Sequence, residues 1–260
     1  MNLLMASELG TNYKGPTQKV RVITESWMGN EGYCPSCLGK LTPYRANFKA
    51  ADFACSKCIA SFQLKSTKSR IGATVPDGAF DTMLAAIRSD TSPSLILLRY
   101  SLDTWTVRDL IVIPSFALSE QAIVPRKPLA IHARRAGWVG CNIDLGRIAP
   151  DARVQVVNNG EIIPPSEVGA RYARLRPLSA IAPKQRGWTL AVFNAIQTKM
   201  HNYFSTQDAY TLENDLSAIF PRNRNVRPKI RQQLQVLRDL GLLKHLDRGT
   251  WELTKTTPHM

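Results

Sequence analysis

The chain has 260 residues, 44% of them apolar, which is enough for a sizeable packed core and too many for a disordered chain. Its 34 Lys+Arg against 20 Asp+Glu leave a net charge of +14, which points to a polyanionic partner, either nucleic acid or an anionic membrane surface. No run approaches the ~18–20 apolar residues of a membrane span, and Met1–Ser7 lacks the basic start and apolar stretch of a secretory signal.

A cytoplasmic protein with reduced cysteines is therefore expected. Residues 1–17 are polar and read as loop. Gln18–Met28 has helical spacing, with Val20, Ile23 and Trp27 on one face. Residues 29–50 are rich in turn formers and read as irregular. A hairpin follows, with Phe48–Ala54 as one strand, Cys55–Cys58 as the turn and Ser61–Lys65 as the return. Pro76-Asp77-Gly78 reads as a turn, Ala79–Arg88 as a helix, and Leu95–Tyr100 and Leu110–Pro114 as strands. Residues 125–150 hold several Pro and Gly and read as a long irregular loop, and Val154–Val157 reads as a strand. Ser179–Gly187 reads as a linker. Beyond it the pattern is helix (Trp188–His201), helix (Thr206–Phe220), helix (Val226–Leu240) and a hairpin over Leu242–Leu253 turning at Asp247-Arg248-Gly249. Strands and helices intermixed predict an α/β mixed-sheet core. Three helices and a hairpin predict a winged helix-turn-helix. The expected division is residues 1–183 and residues 184–260.

Five cysteines occur, and four form two Cys-x-x-Cys pairs, Cys34/Cys37 and Cys55/Cys58, with 17 residues between them. This spacing suits a closed tetrahedral zinc site with a structural role. A redox pair is the alternative. Cys141 reads as a plain buried or loop cysteine.

Asp52 precedes the second pair, and Gln63 and Lys65 follow it. Alternation along a strand puts Gln63 and Lys65 on one face, with Phe62 and Leu64 on the other. A fold at the second knuckle would bring Asp52 beside them. Oxygen donors from Asp52 and Gln63, with the Leu64 carbonyl, suit Mg2+. Lys65 could orient a water and offset charge on a phosphate. An ordinary solvated strand face is the competing interpretation.

The pattern Asp52-x10-Gln63-x-Lys65 resembles the catalytic motif of the PD-(D/E)xK nuclease superfamily. The wider chain is similar to the DpnI-like methyl-directed restriction endonucleases. The matching segments include Tyr33-Cys-Pro-Ser-Cys37, Phe62-x-Leu-Lys-Ser66, Ala133-Arg-Arg-Ala-Gly-Trp138 and Ile230-Arg-Gln-Gln-Leu-Gln235. The resemblance implies a PD-(D/E)xK nuclease core with an embedded four-cysteine zinc site, followed by a winged-helix domain. It also implies Mg2+-dependent cleavage of double-stranded DNA at GATC sites carrying N6-methyladenine. One departure stands out: Gln63 occupies a position where the family has glutamate, which lowers the expected metal affinity.

Candidate DNA contacts fall in two places. Arg134 and Arg135 adjoin Gly137-Trp138, where arginine could hold phosphate or read guanine and Trp138 could meet an added methyl group. A core role for Trp138 is the alternative. In the third helix of the C-terminal region, Ile230, Leu234 and Leu237 form an apolar face. Arg227, Arg231, Gln232, Gln235 and Arg238 line the polar side, with Arg224 just before it and Asn225 as the expected cap. Lys244, His245 and Arg248 on the wing would touch phosphate. The partner expected is double-stranded DNA with methylated adenine, bound by a monomer with no membrane association. A non-catalytic, zinc-containing winged-helix regulator is the alternative function.

Overall fold

The structure is a computed structural model that describes residues 1–44 and 51–254. Its elements run α1 (Pro16–Glu31), β1 (Leu41–Pro43), β2 (Phe53–Cys55), β3 (Ser61–Thr67), β4 (Thr74–Ala79), α2 (Phe80–Arg88), β5 (Ser94–Ser101), β6 (Thr106–Ile113), β7 (Ile123–Pro125) and β8 (Gly140–Asp144). They continue with β9 (Val154–Asn158), β10 (Glu161–Ile162), α3 (Pro165–Leu175), α4 (Pro183–Lys199), β11 (Tyr203–Ser205), α5 (Thr206–Tyr210), α6 (Glu213–Ile219), α7 (Val226–Asp239), β12 (Leu243–His245) and β13 (Thr250–Leu253). These elements form two compact units, each drawn from separate stretches of chain. One comprises residues 1–72, 92–115 and 153–172, and the other residues 73–91, 116–152 and 173–260.

The first unit is a mixed sheet in the order β1-β2-β3-β5-β6-β9-β10. β3 and β5 are parallel, with Gln63 opposite Leu95 and Lys65 opposite Leu97, while the other pairings are antiparallel. Leu95, Ile96, Leu97 and Leu98 are all buried, the mark of a central strand covered on both faces. α1 lies against β1 and β3 and buries Ile23 and Trp27. It runs past the predicted end at Met28, to Glu31.

The second unit holds two three-stranded sheets, β4-β8-β7 and β11-β13-β12. Four expectations are corrected here. Pro76-Asp77-Gly78 is not a turn but part of β4, and the register shifts between Asp77 and Ala79. Glycine absorbs that irregularity because it has no side chain to place. The stretch 125–150 is not wholly irregular, since β8 pairs with both β4 and β7. The supposed linker is largely helix. Pro183 sits in the first turn of α4, where a missing N–H costs nothing. The expected Thr206–Phe220 helix is two short helices, broken between Tyr210 and Glu213. In addition, α3 was not anticipated.

Arg186 shows why the linker reading fails. It is 3% exposed. Its guanidinium donates two bonds to the Asp90 carboxylate, at 2.7 and 3.1 Å, and others to the Ile181 carbonyl, at 3.0 and 2.7 Å. Three residues on, the Thr189 hydroxyl donates to Gln233 Oε1 at 2.7 Å in the interior, joining α4 to α7. α7 buries Ile230, Leu234 and Leu237 as its periodicity predicts. α4, α5–α6, α7 and the β12–β13 hairpin make the winged helix. The hairpin turns through Asp247–Gly249, closed by Thr250 N–H on the Asp247 carbonyl at 2.7 Å, with Arg248 and Gly249 at left-handed φ of 42° and 80°.

Candidate functional site

The cysteine pairs lie on two facing turns. Cys34 N–H donates to the Gly39 carbonyl at 2.8 Å, and Leu38 N–H returns to the Cys34 carbonyl at 2.8 Å. Leu38 adopts φ 56° to allow this. The second turn closes with Cys55 N–H on the Ala60 carbonyl at 2.9 Å and is tied to the first by Ser56 N–H on the Lys40 carbonyl at 2.9 Å. Gly39 has to be glycine, because a Cβ there would lie 2.8 Å from Cys55 Sγ.

The four ligand atoms all lie within 4.8 Å of one another. The Cys37–Cys55 and Cys34–Cys58 sulfurs are 3.4 and 3.8 Å apart. Four sulfurs at ~2.3 Å from a central ion would be ~3.8 Å apart, so the cage has the dimensions for a tetrahedral ion. The chemistry agrees. Burial raises the Cys34 thiol well above its ordinary range. At Cys55 burial also pushes upward, but the Lys57 N–H and the neighbouring thiols outweigh it and bring the group down to about 7. A soft cation that replaces these protons would satisfy sulfurs that are otherwise crowded together out of water. Four buried or half-buried sulfurs in this arrangement could hold a zinc ion.

The knuckle also fixes the approach of β2 to β3. Phe53 pairs with Phe62 and Ala54 with Ser61, and both phenylalanines are fully buried. Asp52 N–H donates to the Phe62 carbonyl at 2.8 Å, although Phe53 is the register partner of Phe62. That one-residue displacement turns the Asp52 side chain along the edge of β3. Its Oδ2 accepts the Leu64 N–H at 2.7 Å. The amide it takes lies between Gln63 and Lys65, so carboxylate, side-chain amide and ammonium come from adjoining positions. All three residues are half-buried. Phe48, Lys49 and Ala50, the start of the predicted strand, lie outside the described residues.

α1 contributes to this region in a way the sequence reading missed. Thr24 Oγ1 lies 3.4 Å from Ser66 Oγ, which fixes α1 over the face that Phe62, Leu64 and Ser66 share. Gln63 and Lys65 alternate to the opposite face. Arg21, raised chiefly by its hydrogen bond to Glu25 at 2.6 Å, also feels the Asp52 charge. The i, i+4 spacing of Arg21 and Glu25 was visible in the sequence. Their nearness to Asp52 depends on how the helix lies on the sheet.

In the second unit the Arg134–Trp138 loop is closed by backbone bonds. Arg126 N–H reaches the Gly140 carbonyl at 2.8 Å, Leu129 N–H the Trp138 carbonyl at 2.9 Å, and Gly137 N–H the Leu129 carbonyl at 3.0 Å. Gly137 has φ 76°, a conformation that favours glycine. The Arg135 guanidinium lies 4.6 Å from the centre of the Trp138 ring, a cation–π stack. Trp138 is half-buried and packs its ring edge over Gly140, where a Cβ would come within 2.9 Å. Its indole Nε1 is buried and has no hydrogen-bond partner among the described residues. Arg134 is exposed. Cys141, as expected, is buried; its sulfur is 3.5 Å from the Gly78 carbonyl.

On α7, Arg231, Gln232 and Gln235 are exposed. Arg227 is held instead by Glu213 at 2.7 Å and lies 5.8 Å from the Tyr210 ring. Gln232 accepts from Lys229 at 2.8 Å. Asn225 makes no side-chain cap. Its own N–H donates to Asn223 Oδ1 at 2.8 Å. Arg224 is exposed just before α7, and Arg248 is exposed at the wing tip. No helix among the described residues is long and apolar enough to cross a membrane.

The chain matches the DpnI family, described as the Dam-replacing family, over residues 1–181, and the Dam-replacing HTH domain over residues 184–253.

Proposed function

The chain belongs to the Dam-replacing DpnI family, and on that premise we propose that it is a methylation-dependent type II restriction endonuclease. Its substrate is double-stranded DNA at GATC sites carrying N6-methyladenine, and its metal requirement is Mg2+. Residues 1–183 carry the PD-(D/E)xK chemistry and residues 184–260 the winged-helix contacts. The observation that supports the proposal is the Asp52–Leu64 hydrogen bond, because it ties the carboxylate to the backbone amide that lies between Gln63 and Lys65 in the chain.

The donor set fits a hard cation. The N–H and C=O of one strand residue leave on the same side, so the Leu64 carbonyl leaves β3 on the Asp52 side. Asp52, the Gln63 amide oxygen and the Leu64 carbonyl would hold Mg2+ with oxygen atoms alone. When bound, Mg2+ would polarise the scissile phosphate and lower the pKa of a nearby water. Lys65 then orients that water and offsets negative charge growing on the phosphate. Asp52 is kept in place by the Leu64 N–H, which a carboxylate can accept while its other lone pairs remain for the ion.

Zinc in the Cys34, Cys37, Cys55, Cys58 cage is structural in this scheme. Four sulfur ligands leave no open position for chemistry, and the knuckle instead anchors the C-terminal end of β2, the short strand that Asp52 immediately precedes. Arg134, Arg135 and Trp138 serve methylated-base contact, and Arg224, Arg231, Gln232, Gln235 and Arg248 serve the duplex from the winged helix, with Arg227 drawn from its ion pair.

With Mg2+, the protein is expected to cut methylated duplex, and Lys65→Ala is expected to bind it without cutting. A Lys65→Ala protein that cuts at the wild-type rate overturns the assignment. Gln63 favours one second reading, a non-catalytic zinc-containing DNA-binding regulator, because a neutral amide weakens the site for a divalent cation. That reading predicts binding without cutting in the unaltered protein.

A further inference from the structure

The loop between β7 and β8 ends in a corner of unusual composition. Ala133 N–H donates to the Ala130 carbonyl at 2.9 Å, and Ala136 N–H to the Ala133 carbonyl at 3.0 Å. Two consecutive turns result. The first has Ile131 and His132 at its central positions, and the second has Arg134 and Arg135. Ile131 is 82% exposed. Leaving a branched aliphatic side chain almost wholly in water is unfavourable, and here it is fixed at a tip by the backbone bonds that close the loop.

The surroundings are cationic. Arg134 and Arg135 follow the tip within four residues and are exposed, Arg126 and Lys127 stand at the foot of the same loop, where Arg126 N–H meets the Gly140 carbonyl, and no Asp or Glu occurs between Glu120 and Asp144. A single aliphatic tip inside a collar of positive charge suits a duplex better than a bilayer. The collar can hold phosphates on either side, and one side chain has the cross-section of a gap between base pairs. A bilayer would be expected to meet a broader apolar face. Of the loop's other large apolar residues, Leu129 is only 39% exposed and Trp138 is half-buried.

We propose that Ile131 is a wedge that enters a base step of the bound duplex, partly unstacking it, while the basic residues around it grip the flanking phosphates. Aliphatic side chains inserted in this way kink DNA and expose more of it to the protein. The inference rests on the DNA-cleaving function proposed above. It adds a positioning residue that bends the substrate and takes no part in the chemistry.

The test uses the full chain without Mg2+ and a duplex with an intact N6-adenine-methylated GATC site, carrying 2-aminopurine opposite thymine at each flanking position in turn. Binding by the unaltered protein is expected to raise fluorescence at one step. Ile131→Ala should abolish that rise, and Ile131→Met should keep it. Anisotropy should show Ile131→Ala binding about fiftyfold more weakly, the effect of losing three buried side-chain carbons. Its salt dependence should be unchanged, since no charge is removed. A rise that persists in Ile131→Ala, or no rise at any position when anisotropy shows the duplex bound, overturns the wedge and leaves the nuclease proposal standing. Loss of phosphatidylserine-vesicle binding in Ile131→Ala with the fluorescence rise intact also overturns it, in favour of a membrane contact. Absence of duplex binding by the unaltered protein removes the underlying function and the wedge together.

Discussion

Asp52 Oδ2 accepts the Leu64 backbone N–H at 2.7 Å, across the gap where β2 has ended and β3 continues. The bond makes the carboxylate part of the strand edge, so the position of its charge follows from sheet register and does not depend on a free rotamer.

Asp52→Asn therefore tests charge with shape almost kept. The amide can still accept the Leu64 N–H, but it brings no anion to a divalent cation. Cleavage should fall by about a thousandfold, while duplex binding measured without Mg2+ should remain within a few-fold of the original. Equal loss of both would move Asp52 from the chemistry to the fold.

Gln63→Glu is the gain-of-charge counterpart. A second carboxylate beside Asp52 should draw the cation more strongly, and the Mg2+ concentration for half-maximal cleavage should drop by about tenfold. A titration of cleavage rate against Mg2+ checks this. An unchanged midpoint would place Gln63 outside the metal's coordination.

Removal of the knuckle ion should act on the fold before it acts on the chemistry. Zinc ribbons of this size draw on the order of 10 kcal/mol from the metal, so a chelator should remove the cooperative thermal transition of the unit that contains the large sheet. Elemental analysis should return one zinc per chain beforehand. A zinc-free protein with the original Tm would make the cysteines dispensable.

On α7, Arg227 and Arg231 should respond differently to alanine. Arg231→Ala should weaken duplex binding and reduce the salt slope by about one. Arg227 already has Glu213 as its partner at 2.7 Å, so Arg227→Ala should cost less, and Glu213→Gln should tighten binding. A larger loss at Arg227 would mean that the ion pair gives way completely on the duplex.

Local chemistry made some of this fold readable and concealed the rest. The four cysteines announced the knuckle because two Cys-x-x-Cys pairs at this spacing suit one four-sulfur cage. Ile230, Leu234 and Leu237 announced α7 because only one face of it is buried. β4 was concealed because Pro76 and Gly78 look like a turn, yet an edge position and a register shift accommodate both. β8 was concealed within a stretch rich in Gly and Arg, and its strand character comes from two neighbours distant in sequence. Arg186 looked like part of a solvated linker, and its bonds to the Ile181 carbonyl and to Asp90, 96 residues away, explain its burial. At the candidate site the alternation of Gln63 and Lys65 could be read directly. The displacement that turns Asp52 toward Leu64, and the nearness of Arg21, arise from packing and have no signature in the spacing.

The most direct measurement is cleavage of a plasmid prepared in N6-adenine-methylated and unmethylated forms, incubated with the pure protein over a range of Mg2+ concentrations. Discrete fragments from the methylated form alone, with none in the absence of metal, are the expected result. An intact methylated plasmid at every Mg2+ concentration, under conditions where the protein binds it, would contradict a nuclease built on Asp52, Gln63 and Lys65.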